Sequence, residues 1–366
     1  MKWGASLKRL LLQGPAWVYE LAVRLRIAAY ETGYLAPKRL QATVISVGNI
    51  TVGGTGKTPL VDYIAGYLSQ EGYSIAILTR GYARKSKGQV VLNSDPYTGP
   101  HTGPHTDKRQ PDSYSYRETG DEPLLLARSL PKVPVVINKN RFEGGLWAQS
   151  RFSSQVLILD DGYQHLKLGR DLNLLVLDAT DPFGNFRMVP FGRLREPLYA
   201  IKRADAVIVT RAHRPFDQGQ LGAIIKYFCG ERVPVMYVYT VITGLRHLES
   251  ETRYEAAEFV GWNAWVMCGI GNPQAFVDDL VGAGITVVGE STFPDHFPYS
   301  QRDADQVTAE ARTAQADLIV TTEKDAIRLA GLRWSEIPLY AAQSEVHTDD
   351  EVRLKSLLLR VLVVKH

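Results

Sequence analysis

Cysteine is scarce in this chain of 366 residues: only Cys229 and Cys268 occur, with no metal-type spacing. That argues against a disulfide framework and fits a reducing compartment. Long apolar runs are missing too, since none approaches the roughly 20 residues that span a bilayer. A signal-peptide pattern is absent: Gly14-Pro15 interrupts the first apolar stretch, and Glu20, Arg24 and Arg26 follow at once. A cytoplasmic protein is expected, at least on its catalytic side. An excess of one charge is lacking as well. Lys and Arg number 42 against 39 Asp and Glu, a net of +3 that gives no argument for nucleic acid. The imbalance is local: residues 1–40 hold seven bases (Lys2, Lys8, Arg9, Arg24, Arg26, Lys38, Arg39) against Glu20 and Glu31. The 45% hydrophobic and 22% charged content is ordinary and supplies a sizeable core. The length suits two domains or one large one.

Against that background one stretch stands out. Gly53-Gly54-Thr55-Gly56-Lys57-Thr58 follows the apolar strand Thr43–Val47 and precedes a helix expected over Leu60–Gln70. Glycines let backbone N–H groups converge on an anion, and a helix N-terminus adds partial positive charge. Lys57 can reach β/γ phosphates, and the Thr58 hydroxyl can bind Mg²⁺. The usual pattern places a further glycine where Thr51 stands. The alternative, a tight strand-to-helix turn with no ligand, is disfavoured by the strand–helix context.

Residues 5–31 carry apolar side chains at helical spacing (Trp3, Leu7, Leu10, Leu11, Trp17, Val18, Leu21, Ala22, Leu25, Ala28), with a break expected near Gly14-Pro15. Bases and aromatics flank that face. The pattern suits a helix on an anionic membrane surface, and equally a helix packed on the protein's own core. A βα rhythm follows, with strands expected at 43–47, 74–79, 133–137, 155–160, 173–178 and 205–210 and helices at 122–130 and 141–151. Such alternation predicts a mostly parallel sheet with helices on both faces. Residues 93–117, containing the tandem Thr98–His105 repeat with His101 and His105, read as an exposed loop. A second βα set is expected: strand 264–268, helix 273–283, strand 285–288, helix 301–315, strand 317–321. Strands 235–242 and 338–343 flank it and can pair as a hinge, returning a closing helix, 349–363, to the first domain.

Several acids and bases suit phosphoryl transfer. Val156–Asp161 is an apolar strand ending in Asp160 and Asp161, where a P-loop protein places its Mg²⁺ carboxylate. On a strand the two side chains alternate, so one faces the metal and the other turns aside. Gly120-Asp121-Glu122-Pro123 opens a helix. Its acids are either dipole partners or a catalytic base with a metal-shell carboxylate. His296, in a loop of the second set, gains interest if it meets Asp121. Arg193 and Arg195 can stabilise a transferring phosphoryl group or pair with Glu196.

Taken in order, these segments resemble the tetraacyldisaccharide 4′-kinases, the lipid A 4′-kinases of Gram-negative outer-membrane synthesis. The matching motifs are Ser46-Val47-Gly48-Asn49 with Val52–Pro59, Thr79-Arg80-Gly81-Tyr82, Gly120–Pro123, Leu159–His165 and Leu194–Pro197. Gly269-Ile270-Gly271-Asn272-Pro273, Asp295-His296 and Thr321-Thr322-Glu323-Lys324-Asp325 complete the series. They run across about residues 3–360. The resemblance implies ATP- and Mg²⁺-dependent phosphorylation of the 4′-hydroxyl of an acylated glucosamine disaccharide 1-phosphate. It implies that helix 5–31 engages the inner membrane and the glycolipid, so that the protein is a peripheral or monotopic monomer on the cytoplasmic face. It makes Asp121 the base, paired with His296, and Arg195 the phosphate clamp beside Lys57. Thr58, Glu122, Asp160 and Asp161 become metal or metal-water ligands, with Gln164, Arg80 and Tyr82 as further site positions. Asn140 stands before Arg141 where the family pattern has aspartate, which leaves the role of Arg141 open.

The expected architecture is therefore a P-loop-type, mostly parallel α/β sheet with a smaller C-terminal α/β domain joined by a two-stranded hinge. Its segments are 1–40 (membrane and substrate helix), 41–234 with 345–366 (kinase core) and 235–344 (smaller domain). A rival reading is a membrane-associated partitioning or metal-insertion ATPase or GTPase. Those proteins place lysine where Val52 stands. A second rival is a nucleotide-binding scaffold without catalysis.

Overall fold

Thirteen strands form one continuous sheet among the described residues. The structure, a computed structural model, describes residues 3–82, 84–92, 114–334 and 336–363, with side chains from Gly14 onward. The chain runs α1 (Trp3–Glu31), β1 (Thr43–Gly48), α2 (Lys57–Gln70), β2 (Ile75–Thr79), β3 (Val90–Leu92), α3 (Tyr116–Thr119), α4 (Asp121–Ser129), β4 (Val135–Ile137) and α5 (Arg141–Phe152). Next come β5 (Val156–Asp160), β6 (Leu172–Asp178), β7 (Ala206–Thr210), α6 (Gln218–Cys229), β8 (Val235–His247), β9 (Arg253–Glu255), β10 (Asn263–Cys268) and α7 (Pro273–Gly282). It closes with β11 (Thr286–Thr292), α8 (Gln301–Thr313), β12 (Leu318–Thr322), α9 (Glu323–Leu329), β13 (Leu339–Thr348) and α10 (Glu351–Val363).

The strand order is β11-β10-β12-β13-β8-β7-β6-β1-β5-β2-β4-β3, with β9 paired to β8. Neighbours from β4 to β8 are parallel, as are those from β11 to β13. The expected mostly parallel α/β sheet with flanking helices is thus borne out. Strands β1, β5, β6 and β7 are buried at every position. Helices cover both faces, so these strands read as unbroken apolar runs. Alternate residues feed opposite layers: Ile45, Val47 and Ile158 face α2 and α4, whereas Val44, Leu157 and Leu159 face α5.

The two parallel sets meet at β8 and β13, which pair antiparallel from Val238–Thr348 to His247–Tyr340 with a bulge near Ser344. Beyond β13, α10 returns to the larger set, placing Leu354, Leu358 and Leu362 in the core beside Leu60 and Ile64. Both strands outrun the expected 235–242 and 338–343, because each edge finds a partner along its whole length.

Two expectations are corrected. No break occurs at Gly14-Pro15: α1 continues through Pro15. The lost backbone donor costs a helix about 3 kcal/mol, which the long run of turns on either side outweighs. The stretch expected as loop 93–117 is ordered at its end. Tyr114 is buried, and Ser115 caps α3 in a reciprocal box with Glu118. That Ser-x-x-Glu spacing is itself a helix-start signal. The Thr98–His105 repeat lies outside the described residues.

Candidate active site

The glycine-rich turn leads from β1 into α2 as its residue types require. Gly56 caps α2 at φ 73°, a left-handed conformation that penalises a side chain. Neighbouring segments hold the loop by its carbonyls. Thr210 Oγ1 donates to Thr55 O at 3.0 Å, Arg211 to Gly54 O at 3.0 Å, and Arg193 to Val52 O at 3.0 Å. With its carbonyls engaged, the loop can keep N–H groups for an anion. Lys57 Nζ donates to Asn49 Oδ1 at 3.2 Å and lies 3.6 Å from Asp161 Oδ1. Burial lowers the Lys57 ammonium, with Asp161 partly offsetting it.

Asp160 ends β5, but Asp161 does not continue the strand. It turns left-handed at φ 52°, so the expected alternation fails and the turn sets its direction. Arg195 grips Asp161 with both guanidinium nitrogens, at 2.7 and 2.8 Å, and also donates to Asn49 Oδ1. Burial disfavours charge on Asp161, yet Lys57 and Arg195 outweigh it and hold the carboxyl well below the usual range. Asp160 accepts from Thr79 Oγ1 at 3.2 Å and has no ion-pair partner among the described residues. Burial, with the charge of Asp161, pushes it up to about 6. A buried acid without its own cation beside a hydroxyl and a second carboxylate is a hard-oxygen donor set. Asp160, with the Thr79 hydroxyl and the Asp161 carboxylate beside it, offers oxygens of the kind Mg²⁺ takes.

Across the cleft, Asp121 starts α4 and meets His296 from the smaller half of the sheet. His296 Nδ1 lies 3.0 Å from Asp121 Oδ2, although the residues are 175 apart in sequence. His296 holds φ 62°, a left-handed backbone of the kind that clusters at functional sites. Burial works against charge on Asp121, but His296, Glu122 and Lys324 keep it below the usual carboxylate range. The Asp121 hydrogen bond raises the His296 imidazole against burial and Lys324. Lys324 Nζ sits 2.8 Å from Glu122 Oε1. Burial still carries Glu122 up to about 7, and the charge of Asp121 adds to the rise. The charge of Glu122 also works upward on the Lys57 ammonium. Gly271 closes the other side: a Cβ there would stand 3.3 Å from Gly54 N.

The remaining named positions divide. Tyr82 stands with its ring 5.6 Å from that of His296. Gln164 donates to Asn49 O at 2.7 Å and to Glu196 Oε2 at 3.2 Å, which makes it a brace behind the cradle. Glu196 pairs with Arg203 at 2.6 Å, and Arg193 with Asp181 at 2.8 Å, so neither Arg193 nor Arg195 pairs with Glu196. Arg80 is exposed, and its charge lowers the buried Arg141, whose guanidinium burial pushes down to about 10. Asn49, Thr79 and Arg328 escaped the sequence reading. Asn49 and Thr79 lie inside quoted motifs. Arg328 shows only as a charge three residues after Asp325 in an apolar stretch.

On the outside of α1, Trp17, Val18, Leu21 and Leu25 are exposed, while Ile27 packs on Leu166 and Ala200. Tyr19 OH donates to Arg195 O at 3.0 Å, and Arg26 donates to Gln164 O at 2.9 Å. The helix is thus bonded directly to the back of the site. No helix among the described residues is long and apolar enough to cross a membrane.

The family model described as LpxK, tetraacyldisaccharide-1-P 4′-kinase, matches residues 8–363. The tetraacyldisaccharide 4′-kinase of Geobacter metallireducens is 38% identical over 344 residues, covering 94% of this chain and 95% of that protein. Its namesake from Geobacter sulfurreducens is 37% identical over 358 residues, covering 98% and 95%. A crystal structure described as the apo form of LpxK from Aquifex aeolicus in complex with ATP aligns at TM-score 0.72 and 33% identity. It covers 97% of this chain and 99% of that one. Motif order, cleft geometry and end-to-end similarity agree: this chain belongs to the tetraacyldisaccharide-1-phosphate 4′-kinase family.

Proposed function

We propose that this chain transfers the γ-phosphoryl group of ATP to the 4′-hydroxyl of a tetraacylated glucosamine disaccharide 1-phosphate, in lipid A synthesis. The observation that carries the reading is the Asp121–His296 pair, 3.0 Å apart across the sheet, in a chain that also carries the Gly53–Thr58 cradle. Phosphoryl transfer is mostly positioning and charge stabilisation. The cradle N–H groups, Lys57 and Arg195 hold phosphate oxygens. Thr58, Asp160 and Asp161 would hold Mg²⁺, with Glu122 at its water shell, and the ion would supply neutralisation of phosphate charge there. Asp121 accepts a hydrogen bond from the sugar hydroxyl. As the alcohol oxygen bonds to phosphorus and the β–γ bridge breaks to release ADP, the proton passes to the Asp121–His296 pair. The imidazole raised by Asp121 is suited to share it. Gln164, Arg80 and Tyr82 line or brace the same cleft.

Because Asp121 and His296 come from opposite halves of the sheet, we read 41–234 with 345–366 as one body and 235–344 as a second. The second turns about the β8–β13 pair to close on substrate. The exposed apolar face of α1 rests on the cytoplasmic surface of the inner membrane, where the acceptor lipid resides. Transfer of labelled phosphate from ATP to a disaccharide 1-phosphate lipid tests the reading. Wild-type protein labels the lipid, and Asp121→Ala lowers kcat by about 10²–10⁴ with ATP affinity little changed. A near-normal kcat in that variant removes Asp121 from the reaction.

A further inference from the structure

Apart from Lys324, the segment Thr321–Asp325 has no role in the chemistry above, yet the helix it starts packs directly on α4, which begins with Asp121. Ala326, Ile327 and Leu329 of α9 are buried, as a core helix requires. Asp325 and Arg328 are buried just as deeply. Removing an ion pair from water carries a penalty of several kcal/mol per ion unless further hydrogen bonds compensate. Here Asp325 is compensated without Arg328: it accepts from Gly269 N at 3.0 Å, Thr322 Oγ1 at 2.8 Å and Tyr299 OH at 2.9 Å.

Arg328, 3.2 Å from Asp325, therefore has donors left over. Its Nη1 donates to Phe297 O at 3.3 Å, the carbonyl just after His296. Its Nε lies 3.2 Å from Asp121 Oδ2, the same oxygen that faces His296 Nδ1. That approach is an ion pair rather than an aligned hydrogen bond, since Nε has no aligned acceptor. One planar cation thus contacts one member of the pair directly and the backbone of the residue next to the other. His296 sits in a left-handed conformation, so its ring direction depends on how the chain is held at Phe297.

We propose that Arg328, braced by Asp325, is the positioning residue of the Asp121–His296 pair. It fixes the distance between carboxylate and imidazole when the two halves of the sheet meet. The inference rests on the reading of that pair as the proton acceptor. Misplacing a reacting group by about 1 Å costs on the order of 10² in rate, and that is the scale expected here.

The test uses the full chain and the ATP-to-lipid transfer assay. Arg328→Met should lower kcat by about 10–10² while KM for ATP and the nucleotide-induced rise in melting temperature stay put. Arg328→Lys should not recover the rate, because a point charge cannot serve both partners. In an Asp121→Asn background, Arg328→Met should add little. Equal losses in both backgrounds, a loss of ATP binding alongside the rate, or a fully active Arg328→Lys overturns the proposal. Should Arg328→Met fail to fold, Arg328→Lys and its kcat-against-KM split decide alone. A near-normal Asp121→Asn would instead defeat the base reading itself. A crippled Asp121→Asn beside a fully active Arg328→Lys defeats only the positioning role.

Discussion

Two pairs of adjacent acids carry the candidate site, and they are built in opposite ways. Asp160 and Asp161 lie at the end of β5, and the cations that decide their charge, Lys57 and Arg195, belong to the same half of the sheet. Asp121 and Glu122 lie at the start of α4, but their partners His296, Lys324 and Arg328 all come from the smaller half. In both pairs one acid is held low and its neighbour is pushed up, Asp160 to about 6 and Glu122 to about 7. The difference teaches where control resides. The first pair takes its partners from within one half of the sheet. The second draws its electrostatics from the other half, so under the proposed closure proton acceptance depends on the halves meeting.

The comparison is broken most severely at Arg195. Its two bonds to Asp161 and its contact with Asn49 make it the organiser of the first pair. Arg195→Ala should lower kcat by about 10²–10³, and Arg195→Lys should regain little because the two-pronged geometry is lost. Steady-state transfer kinetics check both. A smaller effect is expected at the clasp between the halves, where Arg214 reaches Asp278 and Asp279 of α7 and donates to Ala275 O. Arg214→Ala should raise KM for the lipid with kcat at saturation nearly kept, and cost about 1 kcal/mol in chemical unfolding. A loss in kcat alone would separate the clasp from closure.

The smallest effect is a pH dependence of stability. The folded-state pKa of His296 is raised, chiefly by the Asp121 hydrogen bond, with Glu122 adding to the rise and Lys324 opposing it. A raised histidine contributes stability that is fully present below its unfolded value of about 6.5. That contribution is lost as pH rises through the folded value. Urea unfolding of wild type and His296→Asn should therefore differ most at acid pH and converge on the alkaline side. A gap that widens with pH contradicts the assignment.

Much of this was legible in the chain. Val156–Leu159 is uniformly apolar because both of its faces are covered, and the Gly53–Thr58 turn states its chemistry through residue type alone. Short elements were not legible. The three residues of β3 and the seven of α9 carry too few positions for a period, and each exists because a neighbour receives it. The left-handed turn at Asp161 was hidden for a related reason. Nothing local demands it; it is held by Arg195 and Lys57 from elsewhere in the chain. Arg328 marks the limit most plainly, because its meaning lies in contacts with Asp121 and Phe297 that no window of sequence contains.

The central claim is that Asp121 and His296 act as one unit assembled across the sheet. A double-mutant cycle of Asp121→Ala and His296→Ala, read as kcat for lipid phosphorylation, tests it most directly. The account predicts that the double variant is scarcely slower than the worse of the two single variants. Losses that simply multiply would show that the two residues act independently and would contradict it.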